Sequence, residues 1–309
     1  MKDLYERVRA EVGQVVVGQN HVLEGLMVGL ATRGHVLLEG VPGVAKTLLA
    51  NTTARALGIE FARVQFTPDM LPSDLTGTMT LRGGELVFRP GPVFTNFLLA
   101  DEINRTPPKT QAALLEAMQE GQVSIEGDPQ ALPDPFLVVA TQNPIEYEGT
   151  YTLPEAQLDR FLLKIDVGYP AAEDEARILG LRHQGVRAPA LDEVRTVAGP
   201  DEVAHARSEV EATTVSSEVV GYIVEIVRHT RQLPSVSLGA SPRAAVHLLA
   251  ASKAAARLSD RDFVIPDDVK RMAVAALAHR LVLSPEAELE RFRPQDAVEN
   301  ALGAVGVPR

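Results

Sequence analysis

The segment from residue 40 to residue 47, Gly-Val-Pro-Gly-Val-Ala-Lys-Thr, restricts what this chain can fold into more than any other feature. It follows an apolar run at 36–39 that is typical of a buried strand, and it precedes Leu-Leu-Ala at 48–50, which favours a helix. Glycines let the backbone turn back, so that its N–H groups and the helix N-terminus point at the phosphates of a nucleotide. The pattern predicts a P-loop between a strand and a helix. A glycine-rich turn without a ligand is the alternative.

Three residues of this loop decide its chemistry. Lys46 is expected to bring a positive charge to the β- and γ-phosphates, and the Thr47 hydroxyl is expected to ligate Mg²⁺. Ala45 stands where a glycine is expected before the lysine. Because a chiral residue avoids positive φ, we expect the φ of Ala45 to lie below zero.

A second apolar run, at 96–100, ends in the carboxylates Asp101 and Glu102. Side chains alternate along a strand, so the two carboxylates should point different ways and hold different roles. Asp101 is placed to hold the Mg²⁺ shell, and Glu102 to polarise the water that attacks the γ-phosphate. Asn143 follows a further predicted strand at 136–140, where its amide could orient that water. A solvated acidic strand end is the alternative for the carboxylates.

Composition bounds the class of protein. The 309 residues, 45% of them apolar, suffice for two domains with real cores. The absence of cysteine excludes disulfides, thiolate metal sites and a cysteine nucleophile. A net charge of −11 argues against broad electrostatic capture of nucleic acid. Neither a signal-peptide core nor an apolar run of bilayer length is found, so we expect a cytosolic protein without a membrane span.

Strand and helix signals alternate up to residue 169, which predicts a parallel sheet with helices on both faces. The helix expected after Glu102 should be capped by Thr106, with Pro107 in its first position. Two intervals, 78–88 and 122–133, read as β-hairpins that are either ordinary surface turns or functional inserts. The predicted strands lie at 36–39, 61–66, 97–100, 136–140 and 162–166.

The chain from residue 170 onward reads as helical. Helical periodicity and acidic or proline starts predict helices at 171–181, 216–231, 242–258 and 266–281. We therefore expect two domains, an α/β nucleotide-binding core at 1–169 that carries both hairpins and an all-helical lid at 170–309.

Three further motifs lead to a family. Thr-Gln-Asn-Pro at 141–144 follows a strand, and Arg160 ends a short helix within 153–161. Arg243 lies in the first turn of a helix after Ser241 and Pro242, where the helix dipole disfavours a cation. Together with the P-loop, these motifs resemble an AAA+ ATPase. Gly-Val-Pro-Gly-Val-Ala-Lys-Thr, Ala-Asp-Glu-Ile-Asn-Arg-Thr-Pro-Pro-Lys and Thr-Gln-Asn-Pro resemble the MoxR subfamily over about 15–281.

The resemblance implies roles for individual residues. Asn143 would be sensor 1, Arg160 an arginine finger that reaches into the neighbouring subunit's site, and Arg243 sensor 2. Residues 16–19 would line the adenine pocket, the two hairpins would be the helix-2 and pre-sensor-1 inserts, and alanine at 45 is common in the subfamily. The residues that we expect to contact nucleotide are Val17, Gly18, Gly40, Val41, Pro42, Gly43, Val44, Ala45, Lys46, Thr47, Leu48 and Asp101.

The resemblance also implies a function. The chain would hydrolyse ATP to ADP with Mg²⁺ within a homo-oligomeric ring, a hexamer by family. It would act as a chaperone that remodels or matures protein complexes, with von Willebrand factor A domain proteins as partners. The alternatives are a nucleic-acid motor and a nucleotide-gated scaffold with little turnover. Arg105 could contact nucleotide across an interface or pair with Glu102. The seven histidines show no metal-ligand spacing and are read as structural or surface residues.

Overall fold

The computed structural model describes residues 1–143, 151–183 and 191–308, without the side chains of 181–183 and 192. Pro144, the last residue of the Thr-Gln-Asn-Pro motif, lies outside the described residues. The chain divides into two compact units. The α/β unit consists of Asp3–Leu153 and Ile165–Ala204, and the helical unit consists of Met1–Lys2, Pro154–Lys164 and His205–Arg309.

Helices and strands alternate in the first half of the described chain. The helices are α1 Lys2–Val15, α2 Asn20–Ala31, α3 Lys46–Ala56, α4 Pro72–Thr76, α5 Pro108–Glu120, α6 Glu155–Leu158 and α7 Ala172–His183. The strands are β1 Val36–Glu39, β2 Phe61–Gln65, β3 Gly77–Arg82, β4 Glu85–Pro90, β5 Phe97–Asp101, β6 Gln122–Ile125, β7 Asp128–Ala131, β8 Leu137–Gln142 and β9 Leu163–Asp166.

The second half is mainly helical. Its elements are α8 Pro200–Glu211, α9 Ser217–Thr230, β10 Val236–Leu238, α10 Pro242–Leu258, α11 Pro266–Leu277, β11 Val282–Leu283, α12 Pro285–Leu289 and α13 Pro294–Ala304. None of the helices in the described ranges has the length and apolar character that crossing a membrane would take.

The central sheet confirms the predicted α/β fold. Its strand order is β2-β5-β8-β1-β9, and the pairs β2/β5, β5/β8 and β8/β1 are parallel. Every residue of β5 is buried, as expected of an apolar strand covered on both faces. Because the strands are parallel, the carboxyl ends of β1, β5 and β8 lie along one edge. This edge carries the residues that the sequence motifs singled out.

The start of α5 differs from the prediction. Thr106 does not cap the helix and Pro107 is not its first residue, because α5 begins at Pro108 after a 3₁₀ turn at Ile103–Arg105. Thr106 and Pro107 each precede a proline, which pushes a residue out of the helical region. Both are extended, with ψ of 153° and 151°.

Both predicted hairpins are present. β3 pairs with β4 and β6 pairs with β7, each in antiparallel register. The turn residues Gly83 and Gly84, like Glu126 and Gly127, all have positive φ. Two successive residues of positive φ match the twist of the flanking strands, which explains the tight two-residue loops.

The helical unit is built around alanine-rich α10. This helix packs against α9 and α11, and α13 packs against both of those helices. Ala244, Leu248, Ala251 and Ala255 recur at three- and four-residue spacing and are buried, which forms the stripe that a core-facing helix needs. A short antiparallel pair, β10 with β11, adds to what the sequence predicted as helix alone.

The two compact units do not meet at the single boundary that we expected between residues 169 and 170. The segment Pro154–Lys164 belongs to the helical unit, and α7 belongs to the α/β unit. Sequence periodicity cannot detect this exchange, because it depends on side-chain contacts between residues more than a hundred positions apart. The helix predicted to reach residue 281 ends at Leu277, followed by a 3₁₀ turn at Ala278–Arg280.

Candidate nucleotide site

The predicted phosphate loop leaves the carboxyl end of β1 and enters α3. Gly40 approaches the chain so closely that an added Cβ would lie 2.3 Å from the carbonyl oxygen of Val167. Gly43 has a φ of +88° and open space around it, so it is needed for the turn rather than for room. Helix α3 begins at Lys46, so the N–H groups of its first turn, which have no partner within the helix, lie at the loop.

Ala45 corrects one expectation. Its φ is 62° and its ψ is 22°, which places it in the left-handed region rather than below zero. This conformation costs an alanine about 1–2 kcal/mol. The backbone must turn here to start the helix, since Ala45 is the N-cap of α3 and its carbonyl accepts the N–H of Leu49 at 2.9 Å.

Lys46 is half-buried at the mouth of the loop, where its ammonium donates to the carbonyl oxygen of Gly40. Burial lowers the pKa of Lys46, and Asp101, Glu102 and Glu39 oppose that shift. The ammonium therefore lies within the field of the two carboxylates that the sequence placed at the end of β5. An anion brought to the loop would meet the same ammonium.

Asp101 is buried at the end of β5 and both of its oxygens are engaged. Thr141 Oγ1 donates to Oδ1 at 2.6 Å, and Arg63 donates to Oδ2 from Nε at 3.0 Å and from Nη2 at 2.7 Å. Our sequence reasoning named neither Arg63 nor Thr141 as partners. They were missed because strand order and register are not encoded locally. In the structure, parallel register sets Gln65 beside Asp101 and Ala140 beside Ala100, which brings Arg63 and Thr141 within reach of the carboxylate.

Glu102 does not continue the strand. Its φ of 58° and ψ of 51° turn it out of β5, so backbone conformation rather than strand alternation separates it from Asp101. Gln65 Nε2 donates to Glu102 Oε2 at 2.6 Å, and Arg105 Nε lies 2.8 Å from the same oxygen as an ion pair. Of the two alternatives for Arg105, the structure thus shows the pairing with Glu102.

Asn143 is buried just past β8, the strand between β1 and β5. The carbonyl of Gln142 accepts the N–H of Gly40 at 3.2 Å, which sets this strand end against the start of the loop. Thr47 is half-buried in the first turn of α3, and Val41 and Pro42 lie at the outer part of the loop. The α/β unit therefore brings the loop, both carboxylates and Asn143 to one edge.

A cavity of about 330 Å³ opens beside the loop. Gly18, at its edge, has a φ of +81°, and a Cβ there would lie 2.8 Å from Asp174 Oδ2. The walls are mostly apolar and include Pro170 and Ile178, which sequence reasoning did not identify. The residues that line it are Gln14, Val15, Val16, Val17, Gln19, Gly43, Val44, Ala45, Leu48, Pro170 and Ile178.

Arg160 and Arg243 both belong to the helical unit. Arg160 follows α6 by two residues, and in the described part of the chain its guanidinium enters no ion pair. Arg243 lies in the first turn of α10, whose N-cap Ser241 accepts the N–H of Ala244 at 3.2 Å. The Arg243 guanidinium is half-exposed and lies 3.9 Å from Asp159 Oδ2.

Comparisons with known proteins agree with this arrangement. Residues 35–163 match the ATPase family associated with various cellular activities (AAA), and residues 228–301 match the AAA lid domain. The chain is 46% identical to the uncharacterized protein YeaC of Bacillus subtilis (strain 168), over 96% of this chain and 92% of that protein. It is 45% identical to the chaperone MoxR1 of Mycobacterium tuberculosis (strain ATCC 25618 / H37Rv), over 98% of this chain and 82% of that protein.

A crystal structure supports the same conclusion. The chain superposes on a candidate ATPase from Cytophaga hutchinsonii with a TM-score of 0.92 and 43% identity, over 100% of this chain and 96% of that one. The fold, the placement of the P-loop and the near full-length identity to MoxR1 lead to one assignment. The chain belongs to the MoxR family of AAA+ ATPases.

Proposed function

We propose that this chain hydrolyses ATP to ADP in a Mg²⁺-dependent reaction and uses the cycle to remodel or mature a protein complex. One observation carries the proposal. The Lys46 ammonium lies at the loop, interacts electrostatically with Asp101 and Glu102, and adjoins an apolar cavity through Ala45 and Leu48. ATP hydrolysis needs a cation for the phosphates, a carboxylate as general base for the attacking water, and an apolar pocket for the adenine ring. The ammonium, the carboxylates and the cavity meet these three needs.

The loop and the cavity would bind different parts of the nucleotide. The adenine would occupy the cavity against Val17, Gly18, Val44 and Leu48, and the phosphates would accept N–H groups from residues 40–47. Lys46 would then exchange its carbonyl partner for phosphate oxygens. Its half-buried position strengthens that attraction because the surrounding medium is less polar than water.

The residues present fit a Mg²⁺ ion that is shared with the nucleotide. Among the described residues, no cluster of three or more His, Cys, Asp or Glu could hold a metal. Magnesium needs few protein ligands where it takes phosphate and water oxygens, and Thr47 and Asp101 are suited to that arrangement. Since Thr141 and Arg63 occupy Asp101, we expect Asp101 to act through a bound water. Such an ion would neutralise charge on the phosphates.

Glu102 would accept the proton of the attacking water, with the Asn143 amide orienting that water. A hydrogen bond from Gln65 and an ion pair with Arg105 both hold Oε2 of the Glu102 carboxylate in this structure. The other oxygen, Oε1, would therefore be the one that takes the proton. Arg160 would stabilise the charge that develops on the transferred phosphoryl group, from the neighbouring subunit of a hexameric ring.

The character of the client follows from the first hairpin. Leu81 and Leu86 face each other across the tip of β3 and β4 and are 73% and 62% exposed. An exposed apolar pair suits a protein partner. Because the family resemblance implies proteins with von Willebrand factor A domains, we propose these as partners, in a cytoplasmic setting. A nucleic-acid motor is the rival, for which Arg82 at the same tip is the favouring observation. Salt-sensitive DNA binding at low micromolar protein would support that rival.

Glu102→Gln tests the reaction. The variant is expected to bind ATP and assemble normally while hydrolysis falls by about 10²–10⁴-fold, the usual range for loss of a positioned base. Phosphate release is measured with Mg²⁺ and with EDTA, and Glu116→Gln on the exposed side of α5 is the matched control. A loss of less than tenfold would exclude Glu102 as the water-polarising group.

A wild-type chain that binds ATP and fails to turn over would support the scaffold instead. Single-turnover hydrolysis with and without a candidate client distinguishes a scaffold from a remodeller. What co-purifies with Glu102→Gln trapped with ATP would identify that client.

A further inference from the structure

The helical unit buries Arg280, an arginine that no part of the proposed chemistry uses. Arg280, at the end of the 3₁₀ turn after α11, has a side chain that is only 1% exposed. Burial lowers its pKa, while Asp159 opposes that shift. A buried guanidinium is costly unless its donors are all paired, so its partners indicate what it is there to hold.

Most of these partners lie on one short segment. Arg280 Nε donates to Asp159 Oδ1 at 2.7 Å, and Nη2 donates to the carbonyl oxygens of Asp159 at 3.2 Å and Phe161 at 2.5 Å. Nη1 reaches the carbonyl oxygen of Leu162 at 3.4 Å. The two remaining partners lie outside this segment. They are the carbonyl oxygen of Ala276 in α11 and Nδ1 of His247 in α10.

Arg160 lies between Asp159 and Phe161, whose carbonyl oxygens both accept hydrogen bonds from Arg280. Its backbone is fixed on both sides, at Asp159 and at Phe161, while its own side chain enters no ion pair in the described part of the chain. Asp159 continues the connection, because Ser241 Oγ lies 3.3 Å from Asp159 Oδ1 and Arg243 Nη1 lies 3.9 Å from Oδ2. The ion pair of Arg280 with Asp159 thus joins the segment that carries Arg160 to the helix that carries Arg243.

We propose that Arg280 is a positioning residue for hydrolysis, which acts by fixing the backbone around Arg160. The inference rests on the proposed function, since Arg160 must act on a phosphoryl group for its position to matter. Lysine cannot replace Arg280 in this role, because an ammonium lacks the planar fork that bonds one carboxylate and three carbonyls at once.

Arg280→Lys is therefore the test. It is expected to lower kcat by about 10- to 100-fold, the effect of a displacement of about 1 Å in a catalytic group. The affinity of each subunit for ATP should stay within about threefold, because the phosphate loop belongs to the other compact unit. A merely structural role would not produce this separation of kcat from affinity.

A double variant shows whether Arg280 acts through Arg160. Arg160→Ala combined with Arg280→Lys should lose no more than Arg160→Ala alone, because the positioned group is already gone. If the double variant instead loses kcat by the product of the two single losses, at unchanged thermal stability, the inference is overturned.

Arg261→Lys is the matched control. Arg261 also pairs with a buried carboxylate of the helical unit, Asp268, at 2.7 and 2.5 Å, and its bonds do not reach 154–164. It should destabilise the unit and leave kcat unchanged. An equal loss of kcat in Arg261→Lys and Arg280→Lys would mean that any arginine paired with a carboxylate in this unit matters alike, and would overturn the inference.

If Arg280→Lys does not fold, Asp159→Asn removes the charged partner at constant size, and the same non-additivity with Arg160→Ala is expected. The outcomes also separate this inference from the proposed function. Full activity of Arg160→Ala would remove the shared-site assignment and the inference with it. Impaired Arg160→Ala beside normal Arg280→Lys would overturn the inference alone.

Discussion

In the α/β unit the charged residues that the motifs singled out lie at the ends of paired strands, whereas in the helical unit Arg160 depends on a cluster of side chains around Arg280. Asp101 is placed by the register of β5 against β2 and β8, a ladder of backbone hydrogen bonds. Arg160 is placed by the guanidinium of Arg280. We therefore expect a single substitution at Arg280 to displace Arg160, whereas Asp101 keeps its place through the strand ladder.

Arg160→Ala should produce the largest effect, because it removes the group itself rather than its support. Turnover is expected to fall by about 10³-fold or more while nucleotide affinity stays nearly unchanged. The reason is that the guanidinium acts on charge that develops during transfer. Phosphate release and labelled ATP binding measure the two quantities, with Arg228→Ala on the exposed face of α9 as the control.

Mixing then tests whether the two units act across a subunit interface. Lys46→Ala should abolish tight ATP binding because it removes a charge from the phosphate site. Mixed with Arg160→Ala subunits, it should restore partial activity, since some interfaces pair an intact loop with an intact arginine. No recovery in rings verified as mixed by native mass spectrometry would favour a structural role for Arg160.

Gly40→Ala tests the contribution of backbone geometry to the α/β site. The new Cβ would lie 2.3 Å from the carbonyl oxygen of Val167, so the loop or β9 must shift. We expect a loss of about 3 kcal/mol of folding free energy, together with weaker ATP binding. Gly13→Ala is the matched control within α1, where nothing lies within 4 Å, and should stabilise by up to about 1 kcal/mol. Urea unfolding of both variants that shows equal stability would contradict the prediction.

Acid should affect the helical unit first. Burial and, secondarily, Arg280 lower the pKa of His247 from 6.5 to about 4, and burial also lowers the pKa of His279. Between these values the unfolded chain binds more protons, so stability that is complete above pH 6.5 is lost as the pH falls towards 4. We expect each of the two histidines to contribute a loss of about 1–2 kcal/mol between about pH 6.5 and pH 5.

The α/β unit supplies the contrast. Pairing with Arg195 lowers the pKa of Glu11 from 4.5, so its contribution is lost only below that value. Hydrogen exchange read by mass spectrometry, corrected for intrinsic rates, would compare α10 with β5 at the two pH values. His247→Gln keeps an acceptor for Arg280 and should reduce the acid effect, and an unchanged effect in that variant would assign it to other groups.

The same contrast decides how much could be predicted from sequence. The P-loop, the β5 carboxylates and both hairpins follow from local patterns, because strand ends and turns are encoded by neighbouring residues. The left-handed conformation of Ala45 was not predicted, because its φ depends on the direction from which the preceding loop enters helix α3. Arg280 was missed because nothing near Ala278–Arg280 marks it, and its partners lie about 120 positions earlier. Tertiary contacts of that range leave no local pattern.

The first hairpin has a consequence for the order in which the protein opens. No residue of β3 or β4 is buried, so ladder hydrogen bonds and cross-strand contacts hold the two strands together, with little support from outside the hairpin beyond contacts such as that of Phe88 with Phe94. Such a pair can separate without disturbing the buried strands of the central sheet. We expect its amides to exchange earliest among the described strands, and a protease to cut first at the Gly83-Gly84 turn. The segment that presents Leu81 and Leu86 would then be the first to open and the first to close again.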